Sequence, residues 1–273
     1  MTGEHVKRVV PVGALLVIVL AVLGGASGAG ARAGSVLFSD NFNRANGPNS
    51  LITNEYADRN PGDSHAVRSK NWETTSGSFF VKHGVGWTGV PDGCRPDRYS
   101  KVCNDSSVFR LHTRRLDFGD VTVSLKLLNH ALTTTSRTPA RDIDGVHIWL
   151  RYQSETELYA VSVNRRDSSV VIKKKCAGGP SNGGTYYSLA KAIPNQPIPF
   201  GVWQQIAVSI RNNADGSVSI GFARGGAVVA EATDSGLGCA PIRQNGAVGI
   251  RGDNDNFSVE NFTVRSGQNL ASA

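Results

Sequence analysis

The sequence predicts an all-β fold, a two-sheet antiparallel β-sandwich or jelly roll, on three observations. Apolar residues recur with a period of two along the best-patterned stretch, residues 145–175. Clusters of Gly, Asn, Asp and Pro separate strand-length segments from Leu37 to Val264. No segment sustains a helical period. Alternation with one apolar side marks half-buried antiparallel strands. Many short strands of this kind over such a length imply two packed sheets.

Residues 1–33 are read as a signal peptide outside the fold. Lys7 and Arg8 precede an almost wholly apolar run from Val9 to Gly25. Ala31-Arg32-Ala33 then offers the small-x-small pattern of signal-peptidase cleavage before Gly34. The alternative is an uncleaved anchor, since the run approaches spanning length. One domain, residues 34–265, follows, and residues 266–273 are expected to form a disordered tail.

Within the domain, SDNF (39–42) and VENFTV (259–264) read as terminal strands able to pair in one sheet. VFRLHT (108–113) turns Phe109 and Leu111 inward and Arg110 and His112 outward. VTVSLKLL (121–128) is the next strand. Then Val146, Ile148, Leu150 and Tyr152 face inward, against His147, Trp149 and Arg151. Val161 and Val163 alternate with Ser162 and Asn164. Val170 and Ile172 alternate with Val171, Lys173 and Lys175, and Lys174 falls on the opposite side from its neighbours, at a fraying end. QQIAVSIRN (204–212), SVSIGFAR (217–224), AVVAEAT (227–233) and AVGIRG (247–252) complete the strands. Asn213-Ala214-Asp215-Gly216 and Arg224-Gly225-Gly226 read as hairpin turns between them.

Four cysteines, Cys94, Cys103, Cys176 and Cys239, lie beyond the leader. An even number in an exported chain indicates disulfides, and four allow three pairings. The favoured one closes the loop CRPDRYSKVC through Cys94–Cys103 and ties two Gly-rich loops through Cys176–Cys239. Zinc is discounted on spacing and on the lack of nearby histidines. The formal charge is +7. The leader contributes Lys7, Arg8 and Arg32 against Glu4, which leaves roughly +5 on the mature part. That modest, dispersed excess favours acidic partners. No nucleic-acid motif accompanies it, and no later stretch is apolar enough to cross a bilayer.

The segments LFSDNFNR (37–44), GVHIWLRYQSETELYAVSV (145–163) and NGAVGIRGDNDNFSVENFTV (245–264) carry a resemblance. They resemble the concanavalin A-like lectin/glucanase superfamily, nearest its laminin-G-like and secreted bacterial polysaccharide-active branches. The likeness spans nearly the whole mature chain and implies the fold far more than the function, since such folds serve lectins, hydrolases, lyases and adhesion modules. It also implies that a ligand lies across the concave sheet, and that a structural calcium ion could sit near the terminal strands.

The outward set is Arg110, His112, His147, Trp149, Arg151, Ser162, Asn164, Lys173 and Lys175. Trp149 could stack on the apolar face of a pyranose. Arg110, Arg151 and Lys173 could hold carboxylate or sulfate groups, with His112 and Asn164 beside them. The leading expectation is a secreted protein that recognises an extracellular, anionic polysaccharide, with no membrane contact after leader cleavage. The second is a polysaccharide lyase on the same face, with His147 as base, Tyr187 (or Tyr152) as acid and Arg110 or Arg151 neutralising charge. The third is a laminin-G-like structural or adhesion module. The Glu-x-Asp-x-x-Glu strand of family 16 glycoside hydrolases is absent, and Glu155 and Glu157 sit at a hairpin turn as solvated charges. The Gln-x-His strand motif of jelly-roll alginate lyases is absent too, with Gly145 two residues before His147. For calcium, Asp40 and Glu260 are preferred over Asp253-Asn254-Asp255-Asn256. Arg251-Gly252-Asp253 is read as turn chemistry rather than as an integrin tripeptide.

Overall fold

The computed structural model describes residues 1–3, 34–43, 50–92, 94, 104–267 and 270. The chain divides into residues 1–31 and 32–273, and the sandwich belongs to the second unit. The expected leader lies outside the described residues apart from its first three.

The elements in order are β1 (Val36–Asp40), β2 (Leu51–Asn54), the single turn α1 (Tyr56–Arg59), β3 (Trp72–Ser76), β4 (Ser78–Lys82), β5 (Val85–Trp87) and β6 (Val108–Thr113). They continue with β7 (Val121–Leu132), β8 (Gly145–Ser154), β9 (Glu157–Arg165), β10 (Val171–Ser181), β11 (Gly184–Ser188) and β12 (Gln204–Asn212). The last four are β13 (Val218–Arg224), β14 (Ala227–Asp234), β15 (Ala247–Asp253) and β16 (Asp255–Ser266). Among the described residues they form two sheets. One runs β14-β13-β12-β7-β16-β5-β4-β2, with β1 added on β16. The other runs β11-β10-β9-β8-β15-β6-β3. All the strand pairings are antiparallel. This is the two-sheet antiparallel sandwich expected of a concanavalin A-like jelly roll, and the first and last strands pair as expected, Asp40 opposite Phe262.

The alternation places the core. Phe109, Leu111, Val146, Ile148, Leu150, Val161 and Ile172 from one sheet meet Val123, Leu125, Val208, Phe222, Val259 and Phe262 from the other. Burying each such side chain stabilises the fold by about 1.5–3 kcal/mol, which is why the apolar face turns inward wherever pairing stays regular.

Two irregularities break that parity. Between Leu150 and Ser154 the register of β8 on β9 shifts, and Arg151 takes φ +45°. A positive φ is uncommon for a residue with a Cβ, and here its guanidinium compensates. Nη1 donates to Asn212 Oδ1 and the Ile242 carbonyl, both at 2.7 Å, and Nη2 donates to Asp120 at 2.8 Å. Arg151 is therefore fully buried beneath the sheet, not on the outer face, and Tyr152 is thrown outward. A second shift, where Val146 pairs with Asn164 but His147 with Ser162, puts Asn164 on the inner side. There it donates to Asn129 Oδ1 and accepts from Arg224. Both outcomes correct the sequence reading, because one extra residue on one strand reverses every side chain beyond it.

Lys174 corrects it in another way. The residue lies on the inner side as the alternation requires, but no end frays. It is wholly buried and ion-paired with the equally buried Asp234 at 2.8 Å, and it also donates to the Cys239 carbonyl. Beside it the Cys176–Cys239 disulfide forms as expected. The Cys94–Cys103 pairing cannot be described, because Cys103 lies outside the described residues. At the C-terminus Leu270 is buried against Ala207 and Ala223. The rest of the expected tail, residues 268–269 and 271–273, lies outside the described residues.

Candidate functional site

A groove of about 450 Å³ crosses the outer face of the seven-stranded sheet, within the roughly 300–1,000 Å³ of ligand sites. Lys173 and Lys175 of β10, Ala160 of β9, His147 and Trp149 of β8, Arg251 and Asp253 of β15 and Arg110 of β6 reach it from the sheet. One wall is the segment 137–144, with Arg137, Pro139 and Arg141. The other is the tip of the β10–β11 hairpin, Pro180, Ser181 and Asn182. That tip turns through Asn182 (φ +47°) and Gly183 (φ +75°), the successive left-handed residues that Asn-Gly accommodates in a tight hairpin. The hairpin register pairs Lys175 with Tyr186 and Lys174 with Tyr187. Tyr186 therefore shares the groove side with Lys175. Tyr187 shares the inner side with Lys174, its ring against Gly238. The tyrosine of the groove is Tyr186, one residue from the expected Tyr187.

A buried network orders the floor. Arg251 donates through Nε and Nη2 to both oxygens of Asp253 at 2.7 and 2.8 Å, and through Nη1 to the Tyr186 hydroxyl at 3.1 Å. The His147 Nε2 lies 3.2 Å from Asp253 Oδ2, and its Nδ1 is 2.8 Å from the Ser162 hydroxyl. Burial pushes the Asp253 carboxyl upward, but Arg251 and His147 outweigh it and hold it far below the usual carboxylate range. Burial lowers the His147 pKa to about 4, more than the bond to Asp253 raises it. The imidazole is therefore neutral at pH 7. With an ionised acceptor at Nε2, that nitrogen carries the proton, and the Nδ1 lone pair accepts from Ser162.

The lysines carry the opposite strain. Burial, followed by repulsion from Arg165 and Arg251, pushes Lys173 down to about 8. Burial, followed by Arg251 and Arg110, does the same to Lys175. Both ammonium nitrogens lie over the Tyr186 ring, at 5.2 and 5.1 Å from its centroid. Burial also raises the Tyr186 hydroxyl above its ordinary value. Arg110 is bound on Nη1 by both oxygens of Glu155, at 3.0 and 2.9 Å, so the hairpin glutamate grips an arginine instead of standing solvated.

The remaining candidates separate. Trp149 reaches the groove but is 2% exposed, with one face stacked on Tyr152 at 5.2 Å, so it offers an edge rather than a stacking platform. Its indole Nε1 is buried with no hydrogen-bond partner among the described residues. His112 lies outside the groove, stacked on the other side of Tyr152 at 4.5 Å with Nδ1 against the Thr113 carbonyl. Arg151 and Asn164 are on the inner side, as described.

The calcium residues do not meet. Asp40 points inward and accepts from Phe42 N and Trp72 Nε1, both at 2.9 Å, whereas Glu260 points outward to Lys126 at 2.8 Å. The alternative run disperses. Asp253 enters the groove, Asn254 donates to Asp144, Asp255 accepts from Asn129, and Asn256 accepts from Trp87. Among the described residues no three His, Cys, Asp or Glu side chains converge as metal ligands. Among the described residues, Asp40, Glu260 and the 253–256 run do not come together as a calcium site.

No protein-family model matches the chain, and no curated protein matches it. Its likenesses are to solved structures. A Bacillus subtilis protein of unknown function with a galectin-like fold is 10% identical, with a TM-score of 0.49, over 86% of this chain and 97% of that one. The Emp46p carbohydrate recognition domain is 8% identical, with a TM-score of 0.48, over 72% and 89%. The alginate lyase Aly36B is 9% identical, with a TM-score of 0.44, over 85% and 98%. At these identities and scores the likeness says nothing of ligand or reaction.

Proposed function

We propose that the protein binds an extracellular anionic polysaccharide in the groove of the seven-stranded sheet. One observation carries this reading: the groove has an excess of positive charge that the protein does not itself neutralise. Six cations line it, Arg110, Arg137, Arg141, Lys173, Lys175 and Arg251. Arg110, Arg137 and Arg251 are matched by Glu155, Asp105 and Asp253. Among the described residues no carboxylate pairs with Arg141, Lys173 or Lys175. Holding a half-buried Lys173 and a buried Lys175 beside guanidinium groups lowers their pKa, and an anion entering the groove would offset that cost. The Trp149 edge and the Tyr186 ring are the apolar surfaces that would meet a sugar. Disulfide formation fits an oxidising, extracellular setting, and the expected signal peptide would deliver the chain there.

The test is a binding titration of the mature protein against uronate, sulfated and neutral polysaccharides at two salt concentrations. The account expects binding to acidic chains alone, weakening as salt rises. Lys173→Ala with Lys175→Ala should cost about 10–100-fold, the worth of one charge-assisted hydrogen bond or more. A laminin-G-like adhesion role would leave groove variants without effect. Equal binding of neutral chains, or no loss in the double variant, would contradict the proposal.

A further inference from the structure

The groove holds a continuous hydrogen-bonded chain that ends on a hydroxyl. It starts at Ser162 on β9, passes through His147 on β8, then Asp253 and Arg251 on β15, and closes on the Tyr186 oxygen of β11. Each link is spoken for. The histidine Nδ1 lone pair takes the serine proton and its Nε2–H faces a carboxylate, so neither nitrogen is open to a ligand. That removes His147 as the base. The Tyr186 oxygen accepts from Arg251, its own proton has no acceptor among the described residues, and the side chain lines the groove. Lys173 Nζ has no hydrogen-bond partner among the described residues. Lys175 Nζ, over the same ring, is anchored on the Glu155 carbonyl.

We propose that the groove cleaves polyuronate chains by β-elimination, with Lys173 as the base at C5, Tyr186 as the acid at O4, and the Ser162–His147–Asp253–Arg251 chain as the device that positions Tyr186. This rests on the anionic-ligand reading and gives that ligand a reaction. The uronate carboxylate is met by the Lys175 ammonium and the unpaired Arg141 guanidinium, which makes the C5 proton acidic enough to leave. Lys173, as the free amine, takes that proton. The C5–H electron pair becomes the C4=C5 double bond, the C4–O4 bond breaks, and the tyrosine proton passes to O4. One product carries an unsaturated uronate at its new end and the other a free hydroxyl, with no water consumed. Proton return from the Lys173 ammonium to the Tyr186 phenolate through solvent restores both groups. The depressed lysine pKa keeps a usable amine fraction near neutral pH, and the raised tyrosine pKa keeps the acid protonated. The Lys173 ammonium lies over the Tyr186 ring, 5.2 Å from its centroid, so base and acid side chains reach the groove from one patch of its floor. That serves syn elimination, so the substrate class is uronates whose C5 hydrogen and O4 lie on one face of the ring.

The experiment follows near-ultraviolet absorbance of the double bond with polymannuronate, polyglucuronate and polygalacturonate, with calorimetric binding of the same three polymers in parallel. The expected result is absorbance growth with the first two, whose C5 hydrogen and O4 are on one face, and not with the third. The rate should rise with pH through about 8. Lys173→Ala and Tyr186→Phe should each lose about 100-fold or more in rate, with binding retained within about tenfold as the sign that they are folded. His147→Asn should slow the reaction yet keep the alkaline rise, because the titrating base is elsewhere; a histidine base would instead abolish it. Binding without absorbance sinks the elimination step and leaves the recognition reading standing. Failure to bind any of the three polymers sinks both. Full activity in Lys173→Ala, or elimination confined to polygalacturonate, overturns the residue assignment.

Discussion

Lys174 allows a quantitative test of the interior. Its ammonium and the Asp234 carboxylate are 2.8 Å apart, and both side chains are fully buried. At an effective dielectric near 20 such a pair attracts by about 6 kcal/mol, and desolvating two ions cancels most of that. Removing one partner therefore costs far more than removing both. Lys174→Met leaves Asp234 with the Tyr159 hydroxyl at 2.6 Å and the Gly236 N–H at 3.0 Å, so the loss should lie near the lower end of about 3–5 kcal/mol. Asp234→Asn leaves an ammonium facing carbonyls and should lie near the upper end. For a domain of this size those losses correspond to a fall in Tm of roughly 6–20 °C. The double variant Lys174→Met with Asp234→Leu should recover most of the loss. Urea denaturation of the oxidised protein measures all three. A loss under about 1 kcal/mol for Lys174→Met, the size of a surface change, would refute the placement of this lysine.

Other outcomes follow from the same geometry. Arg151→Ala should destabilise the fold by about 3–5 kcal/mol, since it strips a buried guanidinium from Asp120, Asn212 and the Ile242 carbonyl, yet leave polysaccharide affinity unchanged in the calorimeter. Replacing Cys176 and Cys239 by alanine opens a link spanning 63 residues and should cost about 4 kcal/mol on the chain-entropy estimate, read from the shift of the denaturation midpoint. His147 is depressed in the folded state to about 4. Its contribution is fully present above the unfolded value of about 6.5 and is lost as pH falls towards 4, on the order of 3 kcal/mol in all. Denaturation curves across that window should show uptake of one proton on unfolding, absent in His147→Asn. Lys173 and Lys175 act at the other end: stability should rise between pH 8 and 10.5, where the unfolded chain binds more protons than the folded one.

The inward set was legible because burial enforces it along regular strands. Phe109, Leu111, Val146, Ile148, Val161 and Ile172 could all be placed from alternation alone. Arg110, His147, Trp149 and Lys173 reach the groove for the same reason. Arg151 and Asn164 escaped because each lies at a register shift, and a shift is set by pairing with a neighbouring strand, not by local residue type. Tyr186 and Tyr187 are adjacent, and only the register of the β10–β11 hairpin separates them. The Asn182-Gly183 turn was the signal that could have fixed it. Arg251 was missed although Val248 and Ile250 point inward and the alternation sends Arg251 and Asp253 outward. Its partners on β8 and β11 are distant in sequence, so no local pattern announces the chain that links them. The burial of Lys174 depends on Asp234, at the end of β14, and on Cys239 in the segment after it, both remote in sequence.

The central claim is that an anion enters a groove whose lysines lack one. Lysine labelled with ¹³C at the ε-carbon reports each ammonium directly, with Lys173→Arg and Lys175→Arg assigning the signals. In the free protein two lysines should titrate near pH 8. Adding an acidic oligosaccharide should move Lys175, the lysine that meets its carboxylate, upward towards the ordinary lysine value, and a neutral one of the same length should leave both in place. Two ordinary lysines in the free protein, or no movement with any acidic oligosaccharide, would contradict the account.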